Sequence, residues 1–203
     1  MTIAGRPAAG RAFTVLVSVL LAAGSPVRAA AAADWGVEQL MQALAAVKSS
    51  KARFVERKHM AILNAPLEFS GTLIYVAPDK LEKHTQTPRR ESLLLARDQL
   101  TIESPERNHR RTVVLQDYPV IWAFVESIRS TLAGDLATLA RFYDVKLEGA
   151  ERRWRLSLKP RDPQMEEVVS VIRLSGSGNG IDIIETIETN GDRSVMTISR
   201  DTP

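Results

Sequence analysis

Cysteine is missing altogether from the 203 residues. Its absence excludes structural disulfides, thiolate zinc sites and a lipid-modified cysteine at a mature N-terminus. Histidine is scarce: His59, His84 and His109 stand far apart, with none of the spacing that holds a metal. Neither a metal nor a cofactor is expected. Catalytic signatures are missing as well. There is no Gly-x-Ser-x-Gly elbow. Gly176-Ser177-Gly178-Asn179-Gly180 runs into Ile181-Asp182-Ile183-Ile184 and not into a helix, so it reads as a hairpin loop and not as a dinucleotide fingerprint. Glu166-Glu167 and Glu185/Glu188 read as solvated strand ends before they read as paired catalytic carboxylates. The chain is not expected to be an enzyme.

A surplus of one charge is lacking once the N-terminal segment is set aside. The whole chain has 27 Lys+Arg against 24 Asp+Glu. Arg6, Arg11 and Arg28 precede residue 34 with no acidic residue among them, so residues 34–203 carry 24 of each sign. Net charge therefore gives no sign of a nucleic-acid partner, and Trp154 and Tyr75 read as wall residues, not as a base-stacking platform. Long apolar runs are confined to Phe13–Ala23, short of the roughly 20 residues a bilayer span needs. Arginines before that run and small residues after it predict a secretory signal peptide over 1–33, cleaved between 29 and 33. The mature chain from Asp34 is then exported and soluble, with the periplasm as its expected location in a Gram-negative cell.

What is present is a succession of strands. In Leu67–Val76 the side chains of Leu67, Phe69, Leu73 and Tyr75 share one face, which Gly71 interrupts. Ala77-Pro78-Asp79-Lys80 turns the chain into a mostly polar strand from Leu81 to Thr87. Asp34–Ser50 has helical periodicity in Val37, Leu40, Met41, Leu44 and Val47, with Asp34 as cap, and Arg53–Leu63 alternates in part. Strands follow at 91–96, 99–103 and 111–115. Asp117-Tyr118-Pro119 starts a helix, and Asp135 caps a second, short one ending at Phe142. Trp154, Leu156 and Leu158 then alternate with charged and polar residues. Strands at 167–174, 181–188 and 194–199 complete the chain, with Asn190-Gly191 as a two-residue hairpin signal. About ten strands, an N-terminal helix and an inserted helical pair predict a mainly β fold with α: a strongly curved antiparallel sheet, an open or incomplete β-barrel with the helices over one side. Such a fold either packs its interior or leaves a cavity. On these residues alone an acyl-chain carrier and a well-packed scaffold or sensor both remain open.

Phe69-Ser70-Gly71-Thr72-Leu73 followed by Pro78-x-x-Leu81, behind a leader and a first helix and ahead of a charged strand and an Asp-centred turn, resembles the LolA family of periplasmic lipoprotein carriers. The resemblance covers essentially all of residues 34–203, as a single LolA-like domain with lid helices inserted at about 118–142. It implies a carrier that binds the acyl chains of a lipoprotein, or another lipid or glycolipid, in a hydrophobic cavity and passes them towards the outer membrane. Inner-membrane donor and outer-membrane acceptor proteins are the implied partners, with a monomer as the expected state. The alternative is a non-enzymatic periplasmic sensor or protein-binding module on the same fold. For the carrier, Leu67, Phe69, Leu73, Tyr75, Trp154, Leu156 and Leu158 are the expected cavity wall. Val120, Ile121, Phe124, Val125, Ile128, Leu136 and Leu139 are the expected lid. The family's lid-contacting arginine falls at Lys83, which lacks the arginine fork. Glu82 and His84 stand where the family has aromatics, and the turn signals are weakened to Arg97-Asp98-Gln99 and Glu103-Ser104-Pro105.

Overall fold

A computed structural model describes residues 35–200; the segment read as a leader and the expected cap at Asp34 lie outside the described residues. Helix α1 (Val37–Ala45) starts behind Gly36, whose N–H donates to Gln39 Oε1 at 2.9 Å. Its period puts Leu40, Met41 and Leu44 on one side, and all three are buried. The helix stops short of the expected Ser50. Lys48 Nζ donates to the carbonyl of Ala45 at 2.7 Å, and Ser49 and Ser50 already pair with Val76 and Tyr75 as part of a strand.

That strand, β1 (Ser49–His59), is followed by β2 (Leu67–Val76), β3 (Lys80–Thr87), β4 (Glu91–Ala96), β5 (Gln99–Ser104) and β6 (His109–Val114). Two helices come next, α2 (Pro119–Ala133) and α3 (Leu136–Phe142). The chain continues through β7 (Tyr143–Ala150), β8 (Arg153–Pro160), α4 (Pro163–Glu166), β9 (Val169–Ser177), β10 (Gly180–Glu188) and β11 (Arg193–Arg200). Asp135 caps α3 as expected, accepting from Thr138 N–H at 2.9 Å, whereas α2 is entered from Tyr118 and not from Asp117. Strand β7 escapes sequence reading because only Val145 and Leu147 alternate with Asp144, Lys146 and Glu148. Helix α4 is a single turn nucleated by Asp162, which accepts from Gln164 and Met165 N–H. The Asn190-Gly191 hairpin is longer than two residues. Glu188 N–H closes it on the carbonyl of Asp192, while Thr189 N–H turns aside to Val168.

The eleven strands form one antiparallel sheet in the order β6-β5-β4-β3-β2-β1-β11-β10-β9-β8-β7. The sheet is not closed, so the fold is an incomplete barrel with β6 and β7 as its edges. The α2–α3 segment leaves one edge strand and enters the other. Gly71 is required by a close approach: a Cβ there would lie 1.9 Å from the carbonyl oxygen of His84. The β2–β3 register shifts at this point, with Ser70 opposite Thr87 and Gly71 opposite Thr85. The extra residue bends the pair, the usual consequence of a bulge.

Registers place a single row of side chains across the inner face: Phe69, Glu56, Met196, Ile184, Leu174, Leu156 and Leu147. The two halves of that face are covered differently. Under β7–β9, Leu40, Met41 and Leu44 of α1, Leu139 of α3 and Tyr143 meet Trp154, Leu156, Leu158, Ile172 and Leu174 in one packed core. Under β4 and β5 the core is much smaller: Leu95, Leu100 and Leu115, with Trp122 and Val125 of α2 resting on it.

Candidate functional site

Between the second half of the inner face and α2 lies a cavity of about 430 Å³, within the size range of small-molecule sites. Its floor is Ala52, Leu73, Tyr75, Leu81, Leu93 and Leu95, one inward residue after another along β1–β4. Ile181, Ile184, Met196 and Ile198 of β10 and β11 form a side wall. Helix α2 roofs it with Ile121, Phe124, Val125, Ile128 and Leu132, spaced three and four apart and so on one helical stripe. Its polar lining is the cluster of Glu56, Lys83, Thr186 and Ser194, with Ser50, Glu82 and Arg200 elsewhere around the wall.

Helix α2 is turned inside out relative to an ordinary surface helix. Its buried side is small and polar: Ala123, Glu126, Ser127, Ser130 and Thr131. Its apolar side faces the cavity, leaving Ile121 40% and Phe124 37% exposed while Glu126 is only 2% exposed. The polar side is internally satisfied, as buried polar groups must be. Ser127 Oγ donates to Phe124 O at 2.6 Å, Thr131 Oγ1 to Ser127 O at 2.6 Å, and Tyr143 Oη to Ala123 O at 2.8 Å. Burial pushes the Tyr143 phenol up and so keeps it a donor, against the opposing hydrogen bond with Ser127. Glu126 accepts from Trp122 Nε1 and Ser130 Oγ, each at 3.1 Å, and pairs with Arg129. Arg129 reaches on to the carbonyl of Arg97 at 2.9 Å, tying α2 to the β4–β5 turn.

Two buried side-chain polar atoms have no hydrogen-bond partner among the described residues, Trp35 Nε1 and the Tyr75 hydroxyl. The Tyr75 side chain is 3% exposed, and its hydroxyl makes no hydrogen bond although it sits in the cavity wall. A buried hydroxyl left this way costs free energy until something bonds it. Burial and the neighbouring Asp79 charge raise its pKa, which keeps it a neutral donor.

The family model described as "Outer membrane lipoprotein carrier protein LolA-like" matches residues 29–199. The chain belongs to this LolA-like family. A search of the curated proteins found no match. Among solved structures it is similar to a LolA superfamily protein of Nitrosomonas europaea at 12% identity, covering 82% of this chain and 94% of that one, TM-score 0.44. A putative outer membrane lipoprotein-sorting protein domain from Vibrio parahaemolyticus is 10% identical over 80% and 88% of the two chains, TM-score 0.43. A chain of the Pseudomonas aeruginosa MucA/MucB complex is 11% identical over 81% of this chain and 56% of that chain, TM-score 0.43.

In this LolA-like chain the residues expected to form the site are divided. Leu73, Tyr75, Ile121, Phe124, Val125 and Ile128 come together around the cavity. Trp154, Leu156 and Leu158 do not: they lie on the same sheet face but at 1%, 0% and 0% exposure in the packed core, because α1 and α3 fill that half. Leu139 is in that core and Val120 and Leu136 pack against it. Leu67 is half exposed at the hairpin end of β2, and Phe69 borders a second, polar pocket. Lys83 does not take the role of a lid contact. Its ammonium donates to Glu56 Oε2 at 2.5 Å and lies 5.0 Å above the Phe54 ring. Alongside the Tyr143 bond from β7 to Ala123, α2 is tied to the β4–β5 turn from the helix side by Arg129, which sequence reading missed. Its only sequence signal is the Glu126/Arg129 spacing. The contributions of β4, β5, β10 and β11 were also missed, although Met196 and Ile198 alternate with Val195 and Thr197.

Glu56 gives the cavity mouth a pH dependence. Burial opposes its charge, but Lys83, Ser194 and Lys58 together hold its pKa below the ordinary 4.5. A lowered carboxylate pKa stabilises the fold above the unfolded value, and that contribution is lost as pH falls through the folded value. The thermal midpoint of the wild type should therefore exceed that of Glu56→Gln near neutrality, with the gap closing below about pH 4. Midpoints that run parallel down to pH 3 would show that the pairing contributes nothing.

Proposed function

We propose that this protein is a periplasmic carrier that holds the acyl chains of a lipoprotein or another lipid between α2 and the open half of the sheet, and passes them towards the outer membrane. The observation that carries this reading is the reversed helix. A sequence that buries Glu126, Ser127 and Thr131 while leaving Ile121 and Phe124 part-exposed over an apolar floor spends its hydrophobic stripe on a guest. Each methylene buried there contributes about 0.8 kcal/mol, so affinity rises with chain length, and the Tyr75 hydroxyl offers one donor to an ester or amide. The family supports a lipoprotein-binding or carrier-type role in general. Loading from an inner-membrane donor and unloading to an outer-membrane acceptor complete the proposal, as does removal of residues 1–33 on export. Among the described residues no helix is long and apolar enough to cross a membrane.

Phe124→Glu with Ile128→Glu tests the reading. Both side chains line the cavity, and Ile128 also packs against the main core, so uptake is read on the folded fraction, where it should fall at least tenfold. Undiminished uptake by the folded double variant would remove α2 from the binding site.

A further inference from the structure

The apolar cavity does not end at Glu56 and Lys83. Both residues also border a second cavity, of about 340 Å³, on the hairpin side of the sheet. Its chemistry is the opposite of its neighbour's. Lys58, Lys83, Arg89, Arg90 and Arg107 line it, against the carboxylates Glu56, Glu91 and Glu106. Three of the cations have internal partners: Lys83 with Glu56, Lys58 with Glu188 at 3.4 Å, and Arg90 with Glu106 at 3.9 Å. Arg89 and Arg107 are exposed at the pocket and have no ion pair or side-chain hydrogen bond among the described residues. Two guanidinium forks are thus left free beside a greasy cavity, with a polar boundary at Lys83–Glu56 between the two compartments.

We propose that the second pocket binds an anionic, phosphate-class headgroup of the same lipid whose acyl chains occupy the apolar cavity. The inference rests on the carrier reading and deepens it, by making the cargo an anionic amphiphile and not only a hydrophobic one. Guanidinium groups suit such a headgroup because each presents paired N–H donors that match two phosphate oxygens. Both cavities meet at Glu56 and Lys83, so one molecule reaches both with its tails under α2 and its head between Arg89 and Arg107. Lys83 is the group best placed to change partners, from Glu56 to the incoming anion. Long-range attraction by the excess positive charge also orients an anionic lipid head-first at this rim.

The test uses Nile red, a neutral dye, displaced from the protein by dioleoylphosphatidic acid, by dioleoylglycerol or by inorganic phosphate, with Arg89→Gln/Arg107→Gln alongside the wild type. Both positions are exposed, where substitutions leave folding nearly unchanged. The expected result is about a tenfold preference of the wild type for phosphatidic acid over dioleoylglycerol, falling to near parity in the double variant. Inorganic phosphate alone should compete only weakly. Equal binding of the two lipids by the wild type, or a preference that survives in the double variant, overturns the headgroup pocket and leaves the carrier reading intact. Displacement by neither lipid overturns the carrier reading itself. Inorganic phosphate that binds as tightly as phosphatidic acid assigns the pocket to a free anion and overturns its lipid form.

Discussion

Arg129→Ala should be the most destabilising single substitution outside the main core, at about 3–5 kcal/mol. Glu126 is 2% exposed, and Arg129 is its one cationic partner among the described residues. Truncating the arginine leaves a carboxylate without its counter-charge in a nearly dry site, held by Trp122 and Ser130 alone. It also removes the donor to the Arg97 carbonyl, the polar tie between α2 and the β4–β5 turn. Two effects follow and are separable. The denaturation midpoint falls, and α2 loosens over the cavity, so that amide exchange in 119–133 accelerates more than exchange in β8 or β9. Replacing both members, Glu126→Met with Arg129→Met, should restore most of the stability but not the tie to Arg97, since removing a buried pair together is cheap compared with orphaning one partner. Equal losses in the single and double variants would show that the pair is not what holds this helix.

The second large effect is a contrast between two leucines on one face of the sheet. Leu156→Ala should cost about 2–5 kcal/mol and leave lipid uptake by the folded fraction near normal. Leu156 is fully buried against α1 and its neighbouring strands, so truncation opens a void that the packed surroundings fill poorly. Leu73→Ala should do the reverse. Its side chain borders a space that already exists, so less packing is lost, while a methylene-lined contact surface for the guest disappears. Urea titration read against Nile red binding measures both quantities on the same samples. If Leu73→Ala unfolds the protein as readily as Leu156→Ala, the open half of the face is ordinary core.

That contrast also marks where the sequence stopped being informative. Alternation in 67–75 and 154–158 correctly identifies inward-facing residues, because strand periodicity decides the face locally. It does not decide what covers the face. Trp154, Leu156 and Leu158 on β8 are separated from Leu73 and Tyr75 on β2 by four strands and are packed in the core with α1 and α3, a tertiary fact with no local signature. Gly71 was legible as a point of curvature, and its reason, the His84 carbonyl 1.9 Å from a would-be Cβ, is a cross-strand one. The Pro-Gly boundaries of α2 were legible too, but not its rotation. The apolar residues of that helix form a broad stripe in sequence, and nothing local says that the Glu126 side turns inward. Lys83 shows the opposite failure: a role carried over from a family pattern gave way to Glu56, a partner on β1 that the pattern does not mention.

An acyl carrier with a part-exposed apolar helix over a 430 Å³ cavity should not be empty in the cell. Native mass spectrometry of the protein purified from its own envelope, followed by organic extraction of whatever it carries, tests this directly. Acyl-chain carriage predicts a stoichiometric adduct that dissociates to a lipid or acylated peptide and is absent from Phe124→Glu/Ile128→Glu. A protein that is empty when isolated, and that also takes up neither dioleoylglycerol nor phosphatidic acid in vitro, would contradict it.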